Sequence, residues 1–498
     1  MRTGRFIRSF SVLAILIVVF LFFNCDCNDD KSNGWTVMIY GDGDNDLEAY
    51  LLLDIEEMMN GYVESEDLNL ILLIDRISGY SSDTSVFGNN FTDTRLYKIT
   101  SGTATRIGGG SQLPDITTSS NHEMNMGDAN TLQDFVRFCK SEYSNDHYAL
   151  ILWNHGGGVK GKSKNRDGQP YKSVCWDDTS GGDYLYTAEI SDVLTEDESV
   201  DLLGFDACFM GTVEVAYHFR PGNGGFNAQV MVASGPVVWG FGWNYENILS
   251  RLRDSNGDNG EIDMIVGSGV SNELYYDPHT MTTKEFAGII VEEQYDSVQG
   301  ETSQSLSSYD LTKVDDVKDA VDDLAVDLYN ENEKSDFEVI RGSGSSPETM
   351  HYFNGADSSE WNNYPNFDLY DLCSRTSLSS NFSTNIRSKA SNVMTQVDEM
   401  IDYSFGGSDF SGFANGQNGI HIFFPDGDNS YLAYFYWAYQ WWYNSIDTNV
   451  EYGSGFYYGK LKWCIDGATA GNNTVENWFE MLDAWFDTGI PGYNAYSW

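Results

Sequence analysis

Basic side chains are scarce in this 498-residue sequence: 28 Lys and Arg stand against 75 Asp and Glu, a formal net charge of −47 at pH 7. That charge repels phosphate backbones and anionic lipid surfaces at long range, which excludes nucleic acid as a partner. The acidity itself reads as a solubilising surface; attraction of cationic substrates or divalent cations is the sharper alternative. The sequence has no C-x-x-C pair and no Cys/His cluster, which removes a zinc site, and it has no internal repeat. What is present is enough for a large core: 41% hydrophobic and 14% aromatic residues, in a chain long enough for two or three domains.

Met1 to Arg8 carries three Arg, and an apolar run from Phe10 to Phe23 follows directly, the pattern of a secretory signal. The run is short for a membrane span, although extension back to Ile7 brings it to the lower limit of roughly 17 residues. It ends at Leu21-Phe22-Phe23-Asn24-Cys25, which resembles a bacterial lipoprotein box with Asn24 where a small residue is preferred. Cys25 is then the expected lipidation site and first mature residue, tethering an exported protein to the membrane of the cell envelope. An uncleaved anchor and ordinary cleavage with release into the medium are the alternatives. Of the seven cysteines, Cys25, Cys27, Cys139, Cys175, Cys208, Cys373 and Cys464, an acylated Cys25 and a reactive Cys208 leave an odd number, so disulfides cannot account for them all.

Trp35 to Tyr40 predicts a buried strand ending in the turn-forming Gly41 to Asp46. Leu47, Leu51, Ile55 and Met58 then mark a helix that Asn45 or Asp46 can cap. Further strands are predicted over 68–74, 148–153, 200–205 and 229–233, and helices over 131–140 and 188–194. Strands that are apolar on both faces and alternate with helices predict an α/β fold with a largely parallel sheet. Chemistry in such sheets collects beyond the carboxyl ends of the strands, where His155 and Cys208 both fall. Val317, Val321, Leu324 and Leu328 line one face of a helix over 315–329, and the polar, Gly/Ser-rich stretch 330–360 reads as a loop. A helix around 385–403, a strand over 419–424 and an aromatic stretch over 431–443 predict an additional α+β region. The expected organisation is a signal peptide at 1–25, a polar tether at 26–34, a catalytic domain at 35–330 and an aromatic-rich C-terminal region at 331–498.

Cysteine attack on a carbonyl needs a thiolate, an imidazole to exchange protons with it, and backbone donors for the oxyanion. His155 is followed by Gly156, Gly157 and Gly158, whose missing side chains let N–H groups approach a substrate. Cys208 stands just past a strand, with Gly211 and a predicted helix from Thr212 behind it; the positive end of that helix is expected to lower the thiol pKa. A cysteine after a strand is by itself more often a small core residue. The two motifs ending strands of one sheet make the pair a candidate site.

Trp153-Asn154-His155-Gly156-Gly157-Gly158 and Asp206-Ala207-Cys208-Phe209-Met210-Gly211 resemble the histidine and nucleophile motifs of the clostripain family of cysteine peptidases. Trp35 to Glu48, Asn125 to Asp128, Trp176 to Ser180 and Gly419 to Pro425 also follow in family order, so the resemblance spans Trp35 to Tyr443. It implies a caspase-like fold and endopeptidase action on peptide or protein substrates by a Cys/His dyad through a thioester, with no third acid required. His155 would be the general acid/base, Cys208 the nucleophile, and the backbone N–H groups of Gly156 and Cys208 the oxyanion site. Asp206 takes the position that lines the pocket for the substrate's P1 side chain, where a carboxylate suits Arg or Lys; an acid that only orders the loop is its other reading. Family members that cleave after basic residues usually carry an acid shortly after the Ala-Ser matching Ala233-Ser234, and then a Pro-Gly pair. Gly235 to Trp243 has no such acid, which leans the pocket toward a less cationic or apolar P1 residue.

Lys160, Lys162, Lys164 and Arg166, with Lys172 close by, form the densest basic stretch of the chain. Self-cleavage at a basic residue of this loop activates relatives, so a processing site giving two associated chains is expected here; the alternative is a solvated loop that stays whole. Calcium use within the family brings in the alternating Asp42, Asp44 and Asp46, and the run Asp254 to Glu261. The second has Asn259 where an EF-hand needs Gly and Ile265 at the last ligand position. Simple Asx turns explain both, and no metal-ligand set is assigned. Two other functions compete with a peptidase. A catalytically silent surface lipoprotein could use the scaffold to bind a partner, which the presence of both His155 and Cys208 disfavours. A metal-dependent hydrolase could be built on the Asp42 turn, which lacks a His-rich ligand set.

Overall fold

The computed structural model describes residues 32–159, 173–255, 275–298, 300–343, 346–352, 365–425, 458–469, 471–472 and 474–486. Several expectations lie outside these residues: the signal and Cys25, the basic loop with Lys160, Lys162, Lys164, Arg166 and Lys172, the acidic run beyond Ser255, and the aromatic stretch 431–443.

A nine-stranded sheet organises the chain: β1 (Ser32–Gly43), β2 (Leu68–Arg76), β3 (Arg95–Thr100), β4 (Thr103–Ile107), β5 (Asn145–Trp153), β6 (Val200–Asp206), β7 (Ala228–Ala233), β8 (Ser305–Asp310) and β9 (Ile401–Gly406). Their spatial order is β9-β8-β7-β6-β5-β1-β2-β3-β4. The five central strands, β7 to β2, are parallel, and antiparallel strands close both edges. Alternate residues of the central strands enter two separate cores. Met38, Tyr40, Ile71, Leu73, Leu150, Leu152 and Leu203 face one; Val37, Ile39, Leu70, Leu72, Ala149, Ile151 and Leu202 face the other. The strands therefore read as continuous apolar runs, as a sheet covered on both faces requires.

Helix α1 (Glu48–Gly61) packs Leu51, Ile55 and Met58 into the second core, together with α4 (Tyr245–Ser250) and α5 (Thr283–Ser297). Helices α2 (Ala129–Glu142), α3 (Val213–His218), α6 (Val314–Asn330) and α7 (Thr384–Met400) cover the first. The expected α/β architecture, a largely parallel sheet flanked by helices, is what forms. Two expectations need correction. The polar stretch after 330 contains a helix, Lys334–Arg341, that buries Phe337, so its Gly/Ser content marks only the later part. The helix expected to run to 403 stops at Met400, and Ile401–Gly406 becomes β9 instead, pairing with β8 at the edge of the sheet. Residues beyond 330 thus complete the same sheet that carries His155 and Cys208. Among the described residues no helix is long and apolar enough to cross a membrane. The five described cysteines, Cys139, Cys175, Cys208, Cys373 and Cys464, form no disulfide.

Candidate active site

Strand register sets the positions. Gly41 of β1 lies opposite Trp153 of β5, and Trp153 lies opposite Asp206 of β6. His155 and Cys208 each stand two residues beyond that rung, so their backbones leave the sheet side by side. Strand order reverses here, since the chain passes from β1 to β2 on one side and to β5 on the other. A crevice at the carboxyl ends of the strands results.

A Cβ on Gly156 would collide with the carbonyl oxygen of Cys208 and stand 2.5 Å from its nitrogen. Only glycine permits this approach of backbone to backbone. The Cys208 thiol is half-buried, with Sγ 3.5 Å from the carbonyl oxygen of Val238. Phe209, the next residue, holds a left-handed φ of 62° and donates its N–H to Pro236 O at 3.0 Å; Gly211 donates to Ser234 O at 2.8 Å. The chain after β7 therefore clasps the turn that bears the cysteine. Burial pushes the Cys208 thiol up to about 11, and the charge of Asp206 adds to this, while backbone hydrogen bonds at Val238, Gly156 and Cys208 act in the opposite direction. Both expected oxyanion donors are thus close enough to act on the sulfur. The helix expected to lower the thiol pKa does not set its net shift, which is upward. The helix behind it has six residues, and Thr212 already satisfies its first amides by accepting from Glu214 N and Val215 N, so desolvation dominates.

His155 keeps 22% of its side chain exposed and places Nε2 2.7 Å from Oδ1 of Asp46, which is 58% exposed. An ionised carboxylate only accepts, so in the neutral ring Nε2 carries the proton and Nδ1 the lone pair. The turn that holds Asp46 is fastened to the His155 segment. The Asn154 amide donates to the backbone oxygen and Oδ2 of Asp42 at 2.6 and 2.8 Å, and the Asn45 amide donates to Trp176 O at 2.8 Å.

Asp206 is 3% exposed, and its Oδ2 accepts from Trp243 N and Tyr245 Oη, each at 3.0 Å. A second buried acid, Asp54 of α1, lies beside it, accepting from Trp153 Nε1 at 2.6 Å. Gly242 separates the two: a Cβ there would collide with Asp54 Oδ2 and stand 2.9 Å from Asp206 Oδ2. Burial raises Asp206 to about 7, and burial together with the Asp206 charge raises Asp54 well above the usual carboxylate range. The pair holds a proton at neutral pH, as adjacent desolvated carboxylates do.

The alternating acids at the end of β1 part company. Asp42 is tied to Asn154 and Asp46 to His155, while Asp44 joins Asp75 and Glu123, whose carboxylate oxygens all lie within 4.8 Å of one another. Thr179 Oγ1 bridges Asp44 and Glu123. Burial raises Asp75 strongly and lifts Glu123 to about 7. Asp75 Oδ2 is buried without a hydrogen-bond partner, so this oxygen-only group fits a hard cation. Asp54, Asp75 and Glu123 carry no signature in the sequence, where Asp46 reads only as a cap or a metal ligand. No local signal marks the first three, because strand register and the Gly242 turn bring them in.

The geometry defines a three-layer α/β protein with a histidine and a cysteine at adjacent carboxyl strand ends. Two solved structures share this architecture. They are a secreted cysteine protease from Bacteroides thetaiotaomicron bound to an irreversible peptide inhibitor (17% identity, 80% of this chain and 94% of that one, TM-score 0.51) and an inactive protease zymogen from Parabacteroides distasonis (18%, 79% and 92%, TM-score 0.50). At these identities they show the caspase-like fold alone. Residues 39–485 match the clostripain family, and clostripain of Hathewaya histolytica is 49% identical over 489 residues, covering 95% of this chain and 91% of its own length. The chain belongs to the clostripain family and is a cysteine endopeptidase, a hydrolase.

Proposed function

We propose that Cys208 is the nucleophile and His155 the proton carrier of peptide-bond hydrolysis. The observation that carries this reading is the contact of Gly156 with the Cys208 backbone, which joins the two strand ends in one site. A thiol with a raised pKa is protonated at rest, so His155 takes its proton as the sulfur attacks the scissile carbonyl. Negative charge on the former carbonyl oxygen falls to the N–H groups of Gly156 and Cys208. His155 then gives the proton to the leaving amine, the C–N bond breaks, and a thioester remains. Water, deprotonated by His155, attacks the thioester and releases the acid product and the thiol.

Asp206 and Asp54 support a P1 pocket for Arg or Lys despite the missing acid in Gly235 to Trp243, because α1 supplies the second carboxylate. A cationic side chain that replaces their shared proton gains charge-assisted hydrogen bonds in a desolvated setting. Asp44, Asp75 and Glu123 would hold calcium, ordering the turn that carries Asp46; no catalytic step requires the ion. The basic residues Lys160, Lys162, Lys164, Arg166 and Lys172 provide the processing segment, and their charge matches the proposed pocket. Export is supported by the N-terminal signal pattern and by the secreted relative; Cys25 would add a lipid anchor to the envelope membrane.

A peptide panel with Arg, Lys or neutral P1 residues tests this, using the full-length protein beside Cys208→Ala and His155→Ala, with and without a calcium chelator. Expected are cleavage after Arg and Lys, loss of at least about 100-fold in each variant, an uncut chain in Cys208→Ala, and reduced activity on chelation. Undiminished cleavage by Cys208→Ala would refute the nucleophile, preference for neutral P1 the pocket, and indifference to chelation the calcium site.

A further inference from the structure

Asp46 stands apart from the reaction just described, yet it touches the ring that must carry the proton. Its Oδ1 lies 2.7 Å from His155 Nε2, a charge-assisted hydrogen-bond distance. We infer that Asp46 is a positioning residue for catalysis, a third member that accepts from Nε2–H of His155 and so fixes the orientation and tautomer of the ring at the strand end beside Cys208. The inference rests on the assignment of His155 as proton carrier and goes beyond it, since a Cys/His dyad requires no acid.

Three observations support a built arrangement over a chance surface pair. The acid comes from the turn after β1, and β1 pairs directly with β5, the strand that delivers His155. That turn is immobilised from both sides, by the Asn154 amide on Asp42 and by the Asn45 amide on Trp176. Asn45 Oδ1 also accepts from Leu47 N at 2.9 Å, so the residue before Asp46 and the residue after it are both fixed at the start of α1. The acid cannot drift far from the ring.

The chemical consequence follows from the state of the thiol. Because Cys208 rests protonated, the proton must move to His155 during attack, and positive charge appears on an imidazole that was neutral. A carboxylate on Nε2 stabilises that developing imidazolium and prevents the other tautomer, whose Nδ1–H could not accept the proton. No bond to Asp46 is made or broken, and its proton count does not change. Its solvent exposure limits the effect, because water screens the pair.

The test compares full-length wild type with Asp46→Asn, Asp46→Glu, His155→Ala and the Asp46→Asn/His155→Ala double variant on one peptide that the wild type cleaves. Asp46→Asn should lower kcat roughly 10- to 100-fold, a part of the 10²–10⁴ that positioned proton transfer supplies, while KM stays within about twofold. Asp46→Glu should recover part of the loss, the melting temperature should not move, and the double variant should be no slower than His155→Ala alone. A merely structural acid would change KM or the melting temperature and would add its loss to that of His155→Ala. Asp46→Asn turnover within about twofold of wild type, beside an inactive His155→Ala, would overturn the inference alone. Full turnover by His155→Ala would overturn the proton-carrier assignment beneath it.

Discussion

Cys208 illustrates how two local effects compete for one sulfur. Backbone amides of Gly156 and Cys208 favour the thiolate, but desolvation and the Asp206 charge outweigh them and hold the thiol up at about 11. Alkylation of Cys208 by iodoacetamide, followed by mass spectrometry of its peptide, should therefore keep accelerating between roughly pH 7 and 9.5, since the thiolate fraction is still rising there. A plateau below about pH 8 would show a preformed thiolate–imidazolium pair instead. His155 and Cys208 were legible in the sequence because each follows an apolar strand and sits among glycines. Asp46 was visible as a residue but not as a partner of His155, because that contact depends on the pairing of Gly41 with Trp153, which no local spacing encodes.

Elements buried on both faces announce themselves, and those at the edges do not. β1, β2, β5 and β6 have unbroken apolar runs and were predicted to within a few residues. β3, β4, β8 and β9 mix Thr, Ser, Lys, Arg and Asp with their apolar positions, and only their neighbours in the sheet make strands of them. Over 401–403 the apolar rhythm of α7 runs on through Ile401 and Tyr403, so periodicity could not locate the change from helix to strand. Helix α6 is the clearest success, with Val317, Val321, Leu324 and Leu328 all buried as its spacing demanded. Leu324 is 1% exposed in the core that backs the cysteine turn. Leu324→Ala should cost about 2–5 kcal/mol in urea unfolding, from lost transfer energy plus the cavity left behind. A change below about 0.5 kcal/mol would mean that the site collapses around the smaller residue or that the helix is not packed there.

Across the whole molecule, burial of ionisable groups ties stability to pH, and the sign follows from counting protons. Burial lifts Asp206 and Glu480 to about 7 and Asp322 and Asp368 to about 6. Above roughly pH 4 the unfolded chain has released these protons and the folded chain has not, so each group makes stability fall as pH rises toward its folded value. His218 and His421, buried and pushed down to about 3, act oppositely: the unfolded chain protonates them below about pH 6.5, so each makes stability rise with pH up to that point. Glu198, which burial raises but Thr195 and Arg137 pull down further, titrates below the window. These four acids, with the more exposed Glu123 also at about 7, outnumber the two histidines and leave the folded state with more protons between about pH 4.5 and 6, and above about 6.5 the histidines drop out while Asp206 and Glu480 still titrate. Self-repulsion of a chain with net charge −47 adds in the same direction as carboxylates ionise. Each net proton is worth about 1.4 kcal/mol per pH unit, so urea midpoints of Cys208→Ala, which cannot digest itself, should be higher near pH 5 than near pH 7.5 by the equivalent of a few kcal/mol. A midpoint that climbs steadily over that range would show that the two histidines outweigh the acids, and that the carboxyls beneath the cysteine turn are not held protonated by burial.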